Sequence, residues 1–396
     1  VADEFDIAQD IKVEISIPTG TNGIWNLSKW DDGSDWASAS SFTWTDIVAT
    51  VSQAQVTIGS SVQDGFYTPA EPNTLTIQMQ SQVFDPSNNP KIRPNTPIRV
   101  TYRPLPDSFP AVYQTLFTGF IDTFEVSYDT FGNNLIDIMA SSSLKRLLAK
   151  NISSFVVSSA LSDTDYFTQW ATAAGATIGG SGANGSRMAG ETFEEVGAGE
   201  LLDNLLQIEN GLFYQDAIDD SLYLTGSLAM RTLGAPIGSF SNVHSAAADH
   251  YCISDIVVDY DMDTMFNTYI IDSTDSGAGP GPGPGGGNVG TSINQDMVDL
   301  YGPIRCEKTL HLRKTDIVNW LALITPKNPG RKVLQVTTPS IKRDGKLANL
   351  FGPQNTIQVE LVQPTFTIDE EIWVTKVIHT IDPNNWFTTL ELWKGF

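Results

Sequence analysis

The chain of 396 residues is poor in charge, in basic side chains and in cysteine. Charged residues make up 17% of it, against about 25% in an ordinary soluble domain. Within that small set, 46 Asp and Glu stand against 23 Lys and Arg, a net charge of −23. Readers of nucleic acid and binders of anionic membranes need clustered Lys and Arg, so both classes are excluded. No apolar run approaches the roughly 18 residues of a membrane-spanning helix, so no membrane anchor is expected. The acidic stretch from Val1 to Asp10 has no basic leader and does not read as a secretory signal. Two cysteines, Cys252 and Cys306, make no disulfide framework, and a core of this size needs none. One bridge between them is an option. Two buried free thiols are the simpler reading, and they fit folding in a reducing compartment.

What is present is apolar and aromatic: 41% hydrophobic and 10% Phe, Trp and Tyr, enough for sizeable cores. Length alone suggests about two to three domains. Period-two alternation marks Thr74 to Gln80 as a half-buried strand. Ile98 to Tyr102 reads likewise, hemmed by prolines. Leu116 to Tyr128 and Leu135 to Ala140 read as a hairpin across Asp129 to Asn134. Short strands with turn signals between them point to a β-barrel or sandwich in the first third.

From Leu144 the spacing turns helical. Ser162 to Asp165 forms a capping box before Tyr166, Phe167 and Trp170, with Gly175 as the stop. Gly179 to Gly190 reads as a small-residue loop. Glu200 to Glu209 is an amphipathic helix closed by Asn210-Gly211, and a short hairpin follows over Leu212–Tyr214 and Leu222–Leu224. The last third returns to strands, with Ile253–Asp261 and Phe266–Ile271 as one expected pair. Between Gly277 and Gly290, 11 of 14 residues are Gly or Pro, an extended loop inside a domain. Thr315 caps a short helix over Ile317 to Ile324. Strands follow at Lys332–Val336, Thr356–Leu361, Ile372–Thr380 and Trp386–Trp393, the last two joined by the turn Asp382 to Asn385. The expected division is a barrel over 1–150, an α+β insertion over 151–240 and a second barrel over 241–396, with the Gly/Pro loop at 277–290 and a helix at 315–325.

No catalytic constellation emerges. There is no Gly-x-Ser-x-Gly elbow, and none of His244, His250, His311 and His379 lies in a His-Glu-x-x-His frame. His379 sits in an alternating strand and reads as structural or surface. His244, His250 and Cys252 lie close in sequence, but no Cys-x-x-Cys supports a zinc site. Asp259, Asp261 and Asp263 alternate, yet Thr264 and Ile270 stand where a calcium loop needs Gly and Glu. The Gly-x-G-x-x-Gly match at Gly285 to Gly290 has no strand before it. Trp25, Trp30, Trp36 and Trp44 surround Asp31, Asp32 and Asp35, a composition that suits either a glycan site or core and interface anchors. No catalytic residue, metal or cofactor is expected. The residues describe an acidic, β-rich structural or binding protein.

Several segments, taken in order, resemble the tail hub proteins of long-tailed bacteriophages, often labelled minor tail proteins. Trp44-Thr45-Asp46-Ile47 is followed by Thr74-Leu75-Thr76-Ile77-Gln78, the turn Phe84-Asp85-Pro86, and Pro97-Ile98-Arg99-Val100. Leu116-Phe117-Thr118-Gly119-Phe120-Ile121 comes next. Later, Ser292-Ile293, Tyr301-Gly302 and Arg305 follow the family's order. So does the closing hairpin from Trp373 to His379, through Asp382-Pro383, to Trp386 and Thr389-Leu390. The resemblance runs from Trp44 to Phe396. It implies a mainly β fold of two tail-tube-like β-barrels with α/β insertions, assembled as a homotrimeric ring of pseudo-sixfold symmetry. Such a ring joins a hexameric tail-tube or distal tail ring to a threefold fibre or spike. It contacts the tape measure protein and lets genome DNA through without binding it. The expected place is the virion's tail tip, assembled in the host cytoplasm. The alternative expectation is a carbohydrate-binding adhesion protein using Trp25, Trp30 and Trp36.

Overall fold

The computed structural model describes residues 11–18, 42–63, 67–85, 87, 92–103, 113–130, 134–158, 161–182, 185–230, 234–243, 249–258, 266–274, 289–324, 334–339, 351–365 and 367–393. The first set of strands is β1 (Ile11–Pro18), β2 (Phe42–Asp46), β3 (Val51–Gly59), β4 (Thr74–Met79), β5 (Pro97–Tyr102), β6 (Gln114–Tyr128) and β7 (Asn134–Ser141), followed by helix α1 (Ser143–Leu148). The middle set is β8 (Asn151–Val157), α2 (Asp163–Ala174), β9 (Ile178–Gly182), β10 (Glu191–Gly197), α3 (Ala198–Glu209), β11 (Leu212–Gln215), β12 (Leu222–Thr225) and α4 (Ser227–Met230). The last third begins with β13 (Ser239–Ser241), β14 (His250–Cys252), β15 (Asp255–Val258), β16 (Thr268–Ser273) and β17 (Val289–Ile293). It continues with α5 (Gln295–Tyr301), β18 (Arg305–Leu310), α6 (Ile317–Ile324), β19 (Leu334–Pro339), β20 (Thr356–Val362), β21 (Thr367–Ile381) and β22 (Trp386–Trp393).

Alternation decides what each strand buries. In β4, Leu75, Ile77 and Met79 are buried while Thr74, Thr76 and Gln78 look outward. Such strands assemble into one 14-stranded sheet. Its first arm runs β2-β1-β5-β6-β7-β4-β3 and reaches β21. There it divides into β20-β13-β14 and β22-β19-β15. The first and last thirds are joined at one seam, where Ala54–Gly59 of β3 runs antiparallel to Lys376–Ile381 of β21. Both arms share a core: Val13, Val56, Leu75, Phe117 and Ile138 pack in the same cluster as Phe240, Val336, Val359, Val377 and Leu390.

A second core gathers Phe155, Trp170, Leu205, Phe213 and Leu224 with Tyr269, Leu310 and Trp320. The sheet β17-β16-β18 and helix α6 therefore pack with the middle set. Local capping follows the sequence. Ser162 Oγ accepts from the Asp165 amide at 3.2 Å and donates to its carboxylate at 2.8 Å, and Gly175 ends α2 at φ +74°. Helix α3 buries Leu201, Leu202, Leu205, Leu206 and Ile208 and ends on Asn210 in the left-handed region.

Two expectations are corrected. Ile253–Asp261 and Phe266–Ile271 are not partners: β15 pairs with β19, and β16 with β17 and β18. The reason is burial. Ile256 and Val258 pack against the first core, whereas Tyr269 and Ile271 belong to the second. The glycine-rich stretch after Ile178 is not all loop, because β9 runs parallel to β12. Its glycines serve a close approach: at Gly180 a Cβ would lie 3.2 Å from the Tyr223 ring, and at Gly179 it would collide with that ring.

Candidate functional site

The register of the 14-stranded sheet sets side chains in rows across its outward face. One row runs Asp255, Thr337, Thr389, Ile378, Thr57, Thr74 and Ser141, crossing the seam. The next runs Phe387, Thr380, Gln55, Thr76, Met139 and Thr123. A third holds Gln53, Gln78, Asp137 and Glu125. Apart from the apolar Ile378, Phe387 and Met139, these rows carry hydroxyls and amides, and their charges are Asp255, Asp137 and Glu125. A further row contains Lys376, whose ammonium lies 3.3 Å from the carboxylate of Glu391. Cross-strand bonds knit the face: Thr337 and Thr389 hydroxyls meet at 3.0 Å, and Gln78 Nε2 donates to Asp137 at 3.2 Å. Gln53, Gln55, Thr76, Gln78, Asp137 and Met139 line an open groove of about 300 Å³ on this face.

At the far end of the first arm, Trp44 on β2 is 37% exposed. The Arg99 guanidinium lies 4.3 Å from its ring centroid while Arg99 Nε donates to Glu14 at 2.7 Å. Other exposed apolar side chains are Val289 and Ile293 on β17 and Leu300 and Tyr301 on α5, a helix with no buried residue.

Some titratable groups are shifted by their surroundings. His379 faces the first core, and burial lowers its pKa to about 3. Asp85 is held near 2 by hydrogen bonds, first from the Ser87 hydroxyl and then from the Tyr128 phenol. Burial raises Asp220 above the usual carboxylate range, opposed by a hydrogen bond from Ser143. Among the described residues, no group of three or more His, Cys, Asp and Glu is placed to hold a metal ion.

The site residues named from sequence fare unevenly. Trp25, Trp30 and Trp36 lie outside the described residues, as do His244, Asp259, Asp261, Asp263 and residues 277–288 of the Gly/Pro stretch. Cys306 is buried, but Cys252 is exposed on the short edge strand β14, and neither forms a disulfide. The outward rows were missed. Threonine and glutamine carry no motif, and only strand register brings them together.

No protein-family model and no curated protein sequence matches the chain. Solved structures do match over its whole length. The 43 kDa tail protein of prophage MuSo2 from Shewanella oneidensis aligns at a TM-score of 0.58 and 12% identity, covering 97% of this chain and 98% of that one. A tail protein from Neisseria meningitidis gives 0.58 and 10%, covering 98% of both chains. Prophage tail protein gp18 from Listeria monocytogenes gives 0.51 and 10%, covering 96% and 94%. The chain therefore has the fold of phage tail proteins from end to end, mainly β with helical additions, as the resemblance implied.

Proposed function

We propose that the chain is a structural, non-catalytic protein of a phage tail tip. Three copies form a hub ring that joins a hexameric tail tube to a threefold fibre or spike and encloses part of the DNA channel. The observation that carries this reading is the single sheet shared by the first and last thirds through β3 and β21. A subunit in which two strand sets are bonded edge to edge behaves as one rigid body. It can occupy two of six equivalent positions around a tube while keeping threefold symmetry overall.

The outward rows are the wall that fits such a channel. Their amides and hydroxyls are neutral, Asp255, Asp137 and Glu125 are acidic, and Lys376 is paired with Glu391, so they do not hold a polyphosphate. Three copies at −23 each carry −69 in all, the sign that keeps DNA moving. The exposed apolar residues on β17 and α5 suit contact with a neighbouring tail protein. Cryo-electron microscopy of the assembled tail tests the reading. It expects a threefold ring of this chain at the tube's end, with Gln55 and Thr76 facing the bore. Density for the chain elsewhere in the virion, or a basic bore, would overturn it.

A further inference from the structure

His379 lies on β21 within the seam, opposite Val56 of β3 and Thr388 of β22, and is fully buried. Trp386 Nε1 donates to its Nδ1 at 3.3 Å, and the Thr388 hydroxyl stands 3.0 Å from the same nitrogen. A nitrogen that accepts from an indole N–H carries no proton, so the neutral ring holds its proton on Nε2. Nε2 is buried and finds no hydrogen-bond partner. The strand pair that joins the two arms thus has an incompletely satisfied imidazole at its centre.

We propose that His379 makes the β3–β21 seam the acid-sensitive joint of the molecule, the place where the two arms part before the helical core opens. Adding a proton at Nδ1 turns the acceptor of Trp386 into a donor, so two N–H groups face each other, and it leaves an uncompensated charge in an apolar core. Among the described residues no carboxylate faces the ring, and the Thr388 hydroxyl, which can turn to accept from the new N–H, brings no negative charge. β3 presents Val56, and β22 presents Thr388 and Trp386. β5 presents Tyr102, edge-on to Trp386 at 5.5 Å, its hydroxyl donating to Gln114 and kept neutral by burial. None of these is a carboxylate. The folded-state pKa, near 3, lies below the unfolded value of 6.5. The unfolded or opened form therefore binds more protons between those limits, and the seam weakens as pH falls below 6.5. Each pH unit shifts the closed-to-open ratio about tenfold.

The experiment is hydrogen exchange of the full chain. The protein is labelled at steps from pH 7 to pH 4, and each rate is divided by the intrinsic exchange rate of an unprotected amide at the same pH. Residues 54–59 and 376–381 are expected to lose protection first, about tenfold per unit, while 163–174 and 198–209 stay protected. In His379→Gln and His379→Leu, seam protection is expected to be level over the same range. If His379→Leu does not fold, His379→Gln and the wild-type map decide. Simultaneous opening of both cores, or the same acid response in wild type and His379→Gln, would overturn the proposal. Both outcomes are independent of whether the chain forms a ring.

Discussion

The phenol of Tyr128 donates to Oδ2 of Asp85 at 2.7 Å, tying the turn after β4 to the end of β6. The same carboxylate receives the Ser87 amide at 2.8 Å, the Ser87 hydroxyl at 2.6 Å and Asn134 Nδ2 at 3.2 Å. One side chain pins its own turn to both strands of the β6–β7 hairpin, more than 40 positions away. Its folded pKa, near 2, lies below the ordinary 3.8. The stabilisation is therefore complete above about 3.8 and is lost as pH falls toward 2. Asp85→Ala is expected to cost about 1–3 kcal/mol at pH 7, since several donors lose their acceptor. Urea denaturation at pH 7 and pH 3 checks this. The gap between variant and wild type should narrow at the lower pH.

A second buried joint fixes the helical core to the sheet. Asn73 Nδ2 donates to the Gln215 carbonyl at 2.9 Å, and Asn73 Oδ1 accepts from the Gly59 amide at 3.2 Å. Gln215 Nε2 donates to Ser143 Oγ at 2.7 Å, while its Oε1 accepts from the Leu144 amide at 3.3 Å. Both side chains are buried, so truncating either leaves polar groups without water or partner. Asn73→Ala and Gln215→Ala should each destabilise by about 1–3 kcal/mol. The double variant should cost less than the two single effects combined, because the groups form one network. A double-mutant cycle by chemical denaturation measures the shortfall.

Gly59 ends β3 at φ +81°, and a Cβ there would collide with the Thr375 carbonyl and lie 2.7 Å from Pro353. Gly185 has a similar φ of +79° with nothing within 4 Å of a Cβ. Gly185→Ala therefore isolates the left-handed backbone cost, about 1–3 kcal/mol at most. Gly59→Ala adds steric conflict at the seam and should be clearly the more damaging. Comparing melting temperatures of the two variants separates strain from collision.

The sequence made the strands legible where side chains alternate, as in β4, β6 and β7, and made the α2 cap legible from Ser162 and Asp165. It did not reveal which strands adjoin. Alternation says that Val56 and Val377 are buried, not that β3 and β21 pair, because that pairing joins segments some 320 positions apart. Strands as short as β13 and β14 carry too few residues to show a period. Tyr269 and Ile271 looked like part of the last barrel because apolar residues carry no label for which core receives them. The same holds for the candidate site. His379 was legible as a strand residue, but its place at the joint depends on register. The outward rows are built from Thr and Gln that are unremarkable one at a time.

Those rows give the most direct test of the channel. Gln55 and Thr76 are neighbours across β3 and β4 and point away from the core. Replacing both with Lys adds two positive charges per copy on a face whose row otherwise has none. Surface changes of this kind alter stability by no more than about 0.5 kcal/mol, so folding and tail assembly should persist. If the face lines the bore, the added ammonium groups attract passing phosphates, and DNA release from purified virions should slow at low salt. Raising the salt screens that attraction and should restore the rate. Gln55→Glu with Thr76→Glu, which keeps the acidic sign, should release DNA at the wild-type rate. Lysine variants that release DNA normally at low salt would place this face outside the channel, because a cationic wall cannot be indifferent to a polyanion sliding along it.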